Sequence, residues 1–172
     1  MADLIFTDEQ IEALLRAPKR VLNPGARWKL QRGANQKNFE LESDDGKQFT
    51  LYLRQNIRVA SNFSCGLLLR HPQGPVTLTR YNGSDHDHDN PLDIDTRVLA
   101  ACHIHVATER YMRMGRKPEH FAESTDRYTD LQGALRSLVE DCKITGIKLK
   151  DSATTIFDEP STGPGTTGDL FP

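Results

Sequence analysis

Four of the six histidines in this chain fall between positions 86 and 105. His103 and His105 sit in Arg97-Val-Leu-Ala-Ala-Cys-His-Ile-His-Val106, a run that reads as a β-strand. Alternate strand residues share a face, so both imidazoles should point the same way. His86 and His88 lie in the polar loop Tyr81-Asn-Gly-Ser-Asp-His-Asp-His-Asp-Asn90. Two chemistries use residues of this kind. The first needs no cofactor: two imidazoles that titrate near neutrality serve as general base and general acid in one phosphodiester cleavage. His103 and His105 are the acid/base pair in that reading, with His86 or His88 assisting. Arg54, Arg80 or Arg110 would stabilise charge on the phosphate. Tyr52, Tyr81 and Tyr111 would stack on a base or orient the phosphate. Thr108 would open a helix whose first amides receive an anion. The second chemistry is a zinc site. His86, His88, His103 and His105 supply the nitrogens, with Asp85 or Asp87 as further ligands, and three protein ligands plus water make a Lewis-acid hydrolase. No HExxH or cysteine-pair spacing accompanies these histidines. The plain alternative is a polar strand beside a solvated loop, in a non-catalytic module that binds nucleic acid or protein.

These side chains need a frame. Thr7-Asp-Glu-Gln10 is a capping box, Ile11, Leu14 and Leu15 follow at helical spacing, and Pro18 ends the helix. Phe39 and Leu41 alternate with Glu40 and Glu42, Asp44-Asp-Gly46 turns the chain, and Phe49, Leu51 and Leu53 continue the alternation. That pattern sets Tyr52 and Arg54 on the opposite face from Phe49 and Leu51. A third apolar run spans 63–70, His71-Pro-Gln-Gly-Pro75 turns, and 76–81 is a fourth strand. The fifth is 97–106, with Val98, Ala100, Cys102, Ile104 and Val106 on its apolar face and His103 and His105 on a partly open one. Leu131, Ala134, Leu135, Leu138 and Val139 mark a helix with Asp130 at its start. Glu109 would orient a histidine. His71 and His120 read as surface, and Asn82-Gly83 as a turn. The expected fold is α+β: a mostly antiparallel five-stranded sheet, with an N-terminal helix and C-terminal helices packed on one face.

At 172 residues the chain is one domain's worth. Residues 1–150 read as a single domain and 151–172, rich in Ser, Thr, Gly and Pro, as a disordered acidic tail. That tail holds four acids and no base, so the rest is +2, with 22 basic against 20 acidic residues. No acid lies between Glu12 and Glu40, a stretch carrying Arg16, Lys19, Arg20, Arg27, Lys29, Arg32 and Lys37. It reads as a solvated connector or as affinity for an RNA or nucleotide backbone. No run approaches the roughly 18 apolar residues of a membrane span. The acidic N-terminus lacks a secretion signal, and Cys65, Cys102 and Cys142 have no paired spacing, so a cytoplasmic protein is expected.

The strings Arg80-Tyr-Asn-Gly-x-x-His86 and Cys102-His-Ile-His-x-Ala-Thr-Glu-Arg-Tyr111 resemble a small uncharacterised bacterial domain family associated with mobile elements and toxin–antitoxin neighbourhoods. The resemblance spans residues 25–145. It brings no established mechanism; joined to the paired-histidine reading, the expectation is a bacterial protein acting on RNA or a nucleotide, a toxin-like endoribonuclease with a cognate inhibitor protein as partner. His-Ile-His-Val is also similar to the His-x-Thr/Ser motif of two-histidine phosphoesterases, but His105 stands where that motif has a hydroxyl and no second copy exists, so that site is not carried over. Asp169, Leu170 and Phe171 resemble the peptides that dock on the bacterial sliding clamp.

Overall fold

The structure is a computed structural model and describes residues 3–149. The tail and its Asp169-Leu170-Phe171 motif lie outside them. The fold is α+β and mostly antiparallel, as the alternation predicts, but the sheet has nine strands rather than five. In chain order the elements are α1 (Asp8–Arg16), β1 (Lys19–Val21), β2 (Lys29–Gln31), β3 (Ala34–Ser43), β4 (Gln48–Asn56), β5 (Phe63–His71), β6 (Gly74–Asn82), β7 (His103–Val106), α2 (Glu109–Arg113), β8 (Ala122–Ser124), α3 (Leu131–Asp141) and β9 (Ile144–Thr145). The strand order is β8-β7-β6-β5-β4-β3-β1-β9, with β2 paired on β3. β1 and β9 run parallel, and every other pair is antiparallel.

One sheet face carries the core. Phe39, Leu41, Phe49, Leu51, Leu53, Cys65, Leu67 and Tyr81 meet Ile11 and Leu14 of α1 and Leu131, Ala134, Leu135 and Leu138 of α3. α1 starts as expected: the Thr7 side chain accepts from Gln10 N–H and the Gln10 side chain accepts from Thr7 N–H. Asp130 caps α3 through Gly133 N–H. The basic stretch after α1 is not one solvated connector. Lys19 is 2% exposed, and its Nζ donates to the carbonyls of Leu15, Ala17 and Cys142, joining the ends of α1 and α3. Burial pulls its pKa down to about 8.

The opposite face is polar, and the strand register arranges it in two rungs. Tyr52, Gly66, Arg80, His105 and Ala122 stand side by side across β4–β5–β6–β7–β8. Arg54, Ser64, Asn82, His103 and Ser124 form the next rung. The expected strand 97–106 keeps only its last four residues. Ahead of it Ala100 takes a left-handed φ of 38°, and Val98 pairs with His88 in an isolated antiparallel bridge. The chain thus folds the histidine loop back over the polar face.

Candidate metal centre

His103 and His105 are 0% and 1% exposed. The face expected to be partly open is covered by the loop from Gly83 and by the segment leading into β8. The cover brings the loop to the strand pair. His88 stacks on His103 with ring centroids 5.6 Å apart and meets His105 edge-on at 4.6 Å. His103 and His105 are 5.1 Å apart, and His86 contacts His103 at 5.2 Å. One ring nitrogen from each of His88, His103 and His105 lies within 4.8 Å of the other two.

Backbone carbonyls fix which nitrogens are available. A carbonyl only accepts, so a ring nitrogen facing one carries the proton and the other nitrogen keeps a lone pair. His103 Nδ1 faces Ala101 O at 2.8 Å, and His105 Nδ1 faces Glu119 O at 2.9 Å. His88 Nε2 faces His120 O at 2.8 Å and Asn90 Oδ1 at 3.1 Å. The lone pairs therefore sit on His103 Nε2, His105 Nε2 and His88 Nδ1. Outer hydrogen bonds of this kind orient metal-binding imidazoles. Burial first, then the charges of Arg80 and the neighbouring histidines, pushes His105 down to about 2. Burial, ahead of the neighbouring charges and opposed by the Ala101 carbonyl, also lowers His103. Both rings are neutral at ordinary pH, the state a metal ligand requires.

Asn90 holds the loop in place. Its side chain is 2% exposed and pairs with Ala122 on both sides, Oδ1 accepting from N–H at 2.9 Å and Nδ2 donating to C=O at 2.8 Å. The amide also donates to Thr96 O and Thr96 Oγ1. The loop carboxylates act as staples: Asp87 accepts from Ala100 N–H and pairs with Arg97, and Asp85 pairs with His86.

Two buried side-chain atoms among the described residues have no partner, Asn82 Oδ1 and Arg80 Nε. Both residues border the three histidines. Asn82 Nδ2 lies 3.5 Å from His103 Nε2 and 3.3 Å from His105 Nε2. Arg80 Nη2 lies 3.4 Å from His105 Nε2, and Arg80 Nη1 lies 3.8 Å from Glu119 Oε1. Buried polar atoms are otherwise nearly always paired, so two orphans at one site mark a place where a water, an ion or a ligand group would find partners.

The sequence-predicted residues divide. His88, His103, His105 and Arg80 converge, His86 touches the edge, and Tyr52 lies across Gly66 toward Arg80: a Cβ on Gly66 would sit 2.6 Å from the Tyr52 ring and hydroxyl. Arg54 shares the polar face but bonds to Asn62, with β5 and β6 between it and the histidine strand. Tyr81 does not join them. It is on the helix-covered face, and its hydroxyl donates to Asp141. Arg110 pairs with Asp93 and Leu92 O, and the Tyr111 hydroxyl bonds to Asp93 and Leu92 N–H. Thr108 caps α2 through Tyr111 N–H, and the next amide donates to Asp8 rather than to an anion. Glu109 pairs with Arg113 and orients no histidine. His120 is not a detached surface residue: its ring lies 5.6 Å from His88 and its carbonyl holds the His88 proton. Asn82, Asn90 and Glu119 were missed. Only Asn82 had a local signal, its place at the end of a strand with Arg80 one face-step before it.

Residues 6–144, most of the chain, match the model of a family of unknown function. No curated protein and no solved structure matches the chain.

Proposed function

We propose that this chain, which belongs to that family of unknown function, DUF6978, is a metal-dependent hydrolase with His88, His103 and His105 as its protein ligands. The observation that carries this reading is geometric: one nitrogen of each ring faces a backbone carbonyl, which favours the proton there and a lone pair on the other nitrogen, and the three rings are in mutual contact. The donor set suits zinc, and three protein ligands leave one position for water, as in catalytic zinc sites. A tetrahedral ion with bonds of about 2.1 Å sets its ligands about 3.4 Å apart, so binding would draw the rings together. When bound, zinc would lower the pKa of a coordinated water toward neutrality and polarise a substrate oxygen.

The chain's own residues supply the rest. The carbonyls of Ala101, Glu119 and His120 hold the rings in register. The Asn82 amide, 3.3–3.5 Å from His103 Nε2 and His105 Nε2, would border the open ligand position of a bound ion. His86, half exposed at the rim, sits where a leaving group meets solvent. The metal-free pairing of His103 and His105 is less favoured, because a general acid must arrive protonated and burial beside Arg80 opposes that for His105.

The test is metal analysis joined to hydrolysis of chromogenic esters. Wild-type protein should carry or take up one zinc per chain, lose hydrolysis on chelation and regain it on re-addition. The His103→Ala/His105→Ala double variant should bind no zinc. Full activity after exhaustive chelation would sink the reading.

A further inference from the structure

Arg80 reaches the histidine cluster through His105 Nε2, and its hydrogen bonding is incomplete. Its Nη1 edge meets Glu119 at 3.8 Å, beyond a hydrogen bond. Its Nε is buried without a hydrogen-bond partner, its Nη2 reaches the lone pair of His105 Nε2 at 3.4 Å, and the guanidinium also donates toward the Tyr52 hydroxyl. If that lone pair goes to a metal, Nη2 is released as well. Nε–H and Nη2–H lie parallel along one edge of the guanidinium, the fork that takes two oxygens of an oxyanion at once. A guanidinium beside a metal dication also needs an anion between them, because the two cations repel. Tyr52 closes the other side. Its hydroxyl crosses Gly66 toward Arg80, whose guanidinium donates to it, and burial raises its pKa to about 12, against the Arg80 charge and that hydrogen bond. It is therefore a neutral donor. Beyond Tyr52 the same sheet face opens into a cavity of about 480 Å³ bordered by Gln36, Asn38, Arg54 and Arg70.

We infer that the Nε/Nη2 edge of Arg80, with the Tyr52 hydroxyl, forms an oxyanion subsite that takes the phosphoryl group of a phosphate ester. This inference rests on the metal reading for the chemistry, though the subsite itself is built by Arg80 and Tyr52. A planar carboxylate has only two oxygens, and the fork uses both. A phosphoryl group places two oxygens on the fork and keeps a third for the metal. The ester's organic part then extends over Tyr52 into the polar cavity beside Arg54, while Arg70 on its wall is paired with Glu40.

The experiment is calorimetric titration of inorganic phosphate, and separately acetate, into zinc-loaded and chelated protein, with zinc content measured on the same samples. Wild type should bind phosphate at least tenfold more tightly than acetate. Arg80→Met should weaken phosphate at least tenfold with zinc content unchanged, and Tyr52→Phe should weaken it by a smaller factor. If Arg80→Met does not fold, Arg80→Lys keeps the charge facing Glu119 but lacks the fork, and the same tenfold loss is expected. One zinc per chain with no phosphate binding in wild type, or with equal binding in the Arg80 variants, overturns the subsite and leaves the metal reading standing. No zinc, but phosphate binding lost in the Arg80 variants, supports the subsite and removes the metal. Neither zinc nor phosphate bound refutes both.

Discussion

Asn90→Ala tests whether the histidine loop is held by one buried amide. The wild-type side chain makes five hydrogen bonds: to Thr96 O, Thr96 Oγ1 and Ala122 O, and from Ala122 N–H and His88 Nε2–H. Thr96 is exposed and can turn to water. Ala122 is 0% exposed and cannot, so its N–H and C=O are left unpaired at about 1–3 kcal/mol each. With the weakened hold on His88, the expected cost is about 3–5 kcal/mol, a large share of the roughly 5–15 kcal/mol that stabilises a domain. Thermal unfolding should fall by about 6–20 °C for a chain of this size. Zinc affinity should fall about 10- to 100-fold, because the His88 ring loses one of the two acceptors that orient it. Urea unfolding of metal-free protein gives the first quantity and competition against a chromophoric chelator the second. A cost below about 1 kcal/mol, or an unchanged zinc affinity, would refute the buckle.

Further outcomes follow from the same geometry. The depressed pKa of His105 means that its contribution to stability is complete above about pH 6.5 and is lost as the pH falls toward its folded value, because only the unfolded chain takes up the proton in that window. Between pH 7 and 5 the metal-free protein should lose about 2 kcal/mol from this residue, a slope that urea titrations should find reduced in His105→Gln; identical slopes would contradict the assignment. Tyr81→Phe, on the helix-covered face, should cost stability through Asp141 yet leave zinc affinity unchanged, and a tenfold change in affinity would mean that the two faces are not separate. Gly66→Ala should displace the Tyr52 ring and weaken phosphate binding without reducing zinc content, read by the same calorimetry and metal analysis; unchanged phosphate binding would show that the ring's place over Gly66 does not matter. Saturating zinc at about 100 times its Kd should stabilise the fold by about 2.7 kcal/mol, and a melting temperature that does not respond would argue against binding to the folded state.

Much of the frame was legible because its signals are local. The Thr7–Gln10 capping box, the turns after Ser43 and His71, and the alternation through β3, β4 and β6 each depend on residues a few positions apart. β1, β2 and β8 were not legible, whereas Ile144, Ile147 and Leu149 read as a last short strand or a docked tail and β9 begins at Ile144. Strands of three residues carry no period, and they exist because longer neighbours offer them an edge. Strand 97–106 was over-extended for a physical reason: the alternation runs on through Val98 and Ala100, but Asp87 accepts the Ala100 N–H and His88 captures Val98 in a bridge. The candidate site was half legible. The i, i+2 spacing put His103 and His105 on one face, and the strand alternation separated Tyr52 and Arg54 from the core. Their burial could not be read, because the cover comes from residues 83–101 and 116–122. The roles of Asn90, Glu119 and the His120 carbonyl depend on contacts across 14 to 32 positions, and no local pattern reports those.

The most direct test of the three-histidine centre is long-range proton–nitrogen NMR of the imidazoles during a zinc titration. The metal-free protein should show His103 and His105 protonated at Nδ1 and His88 at Nε2. One equivalent of zinc should move His103 Nε2, His105 Nε2 and His88 Nδ1 together and leave His71, at the end of β5, where it was. Zinc that shifts only the exposed rings while the buried pair stays unchanged, or a His88 protonated at Nδ1, would contradict the account.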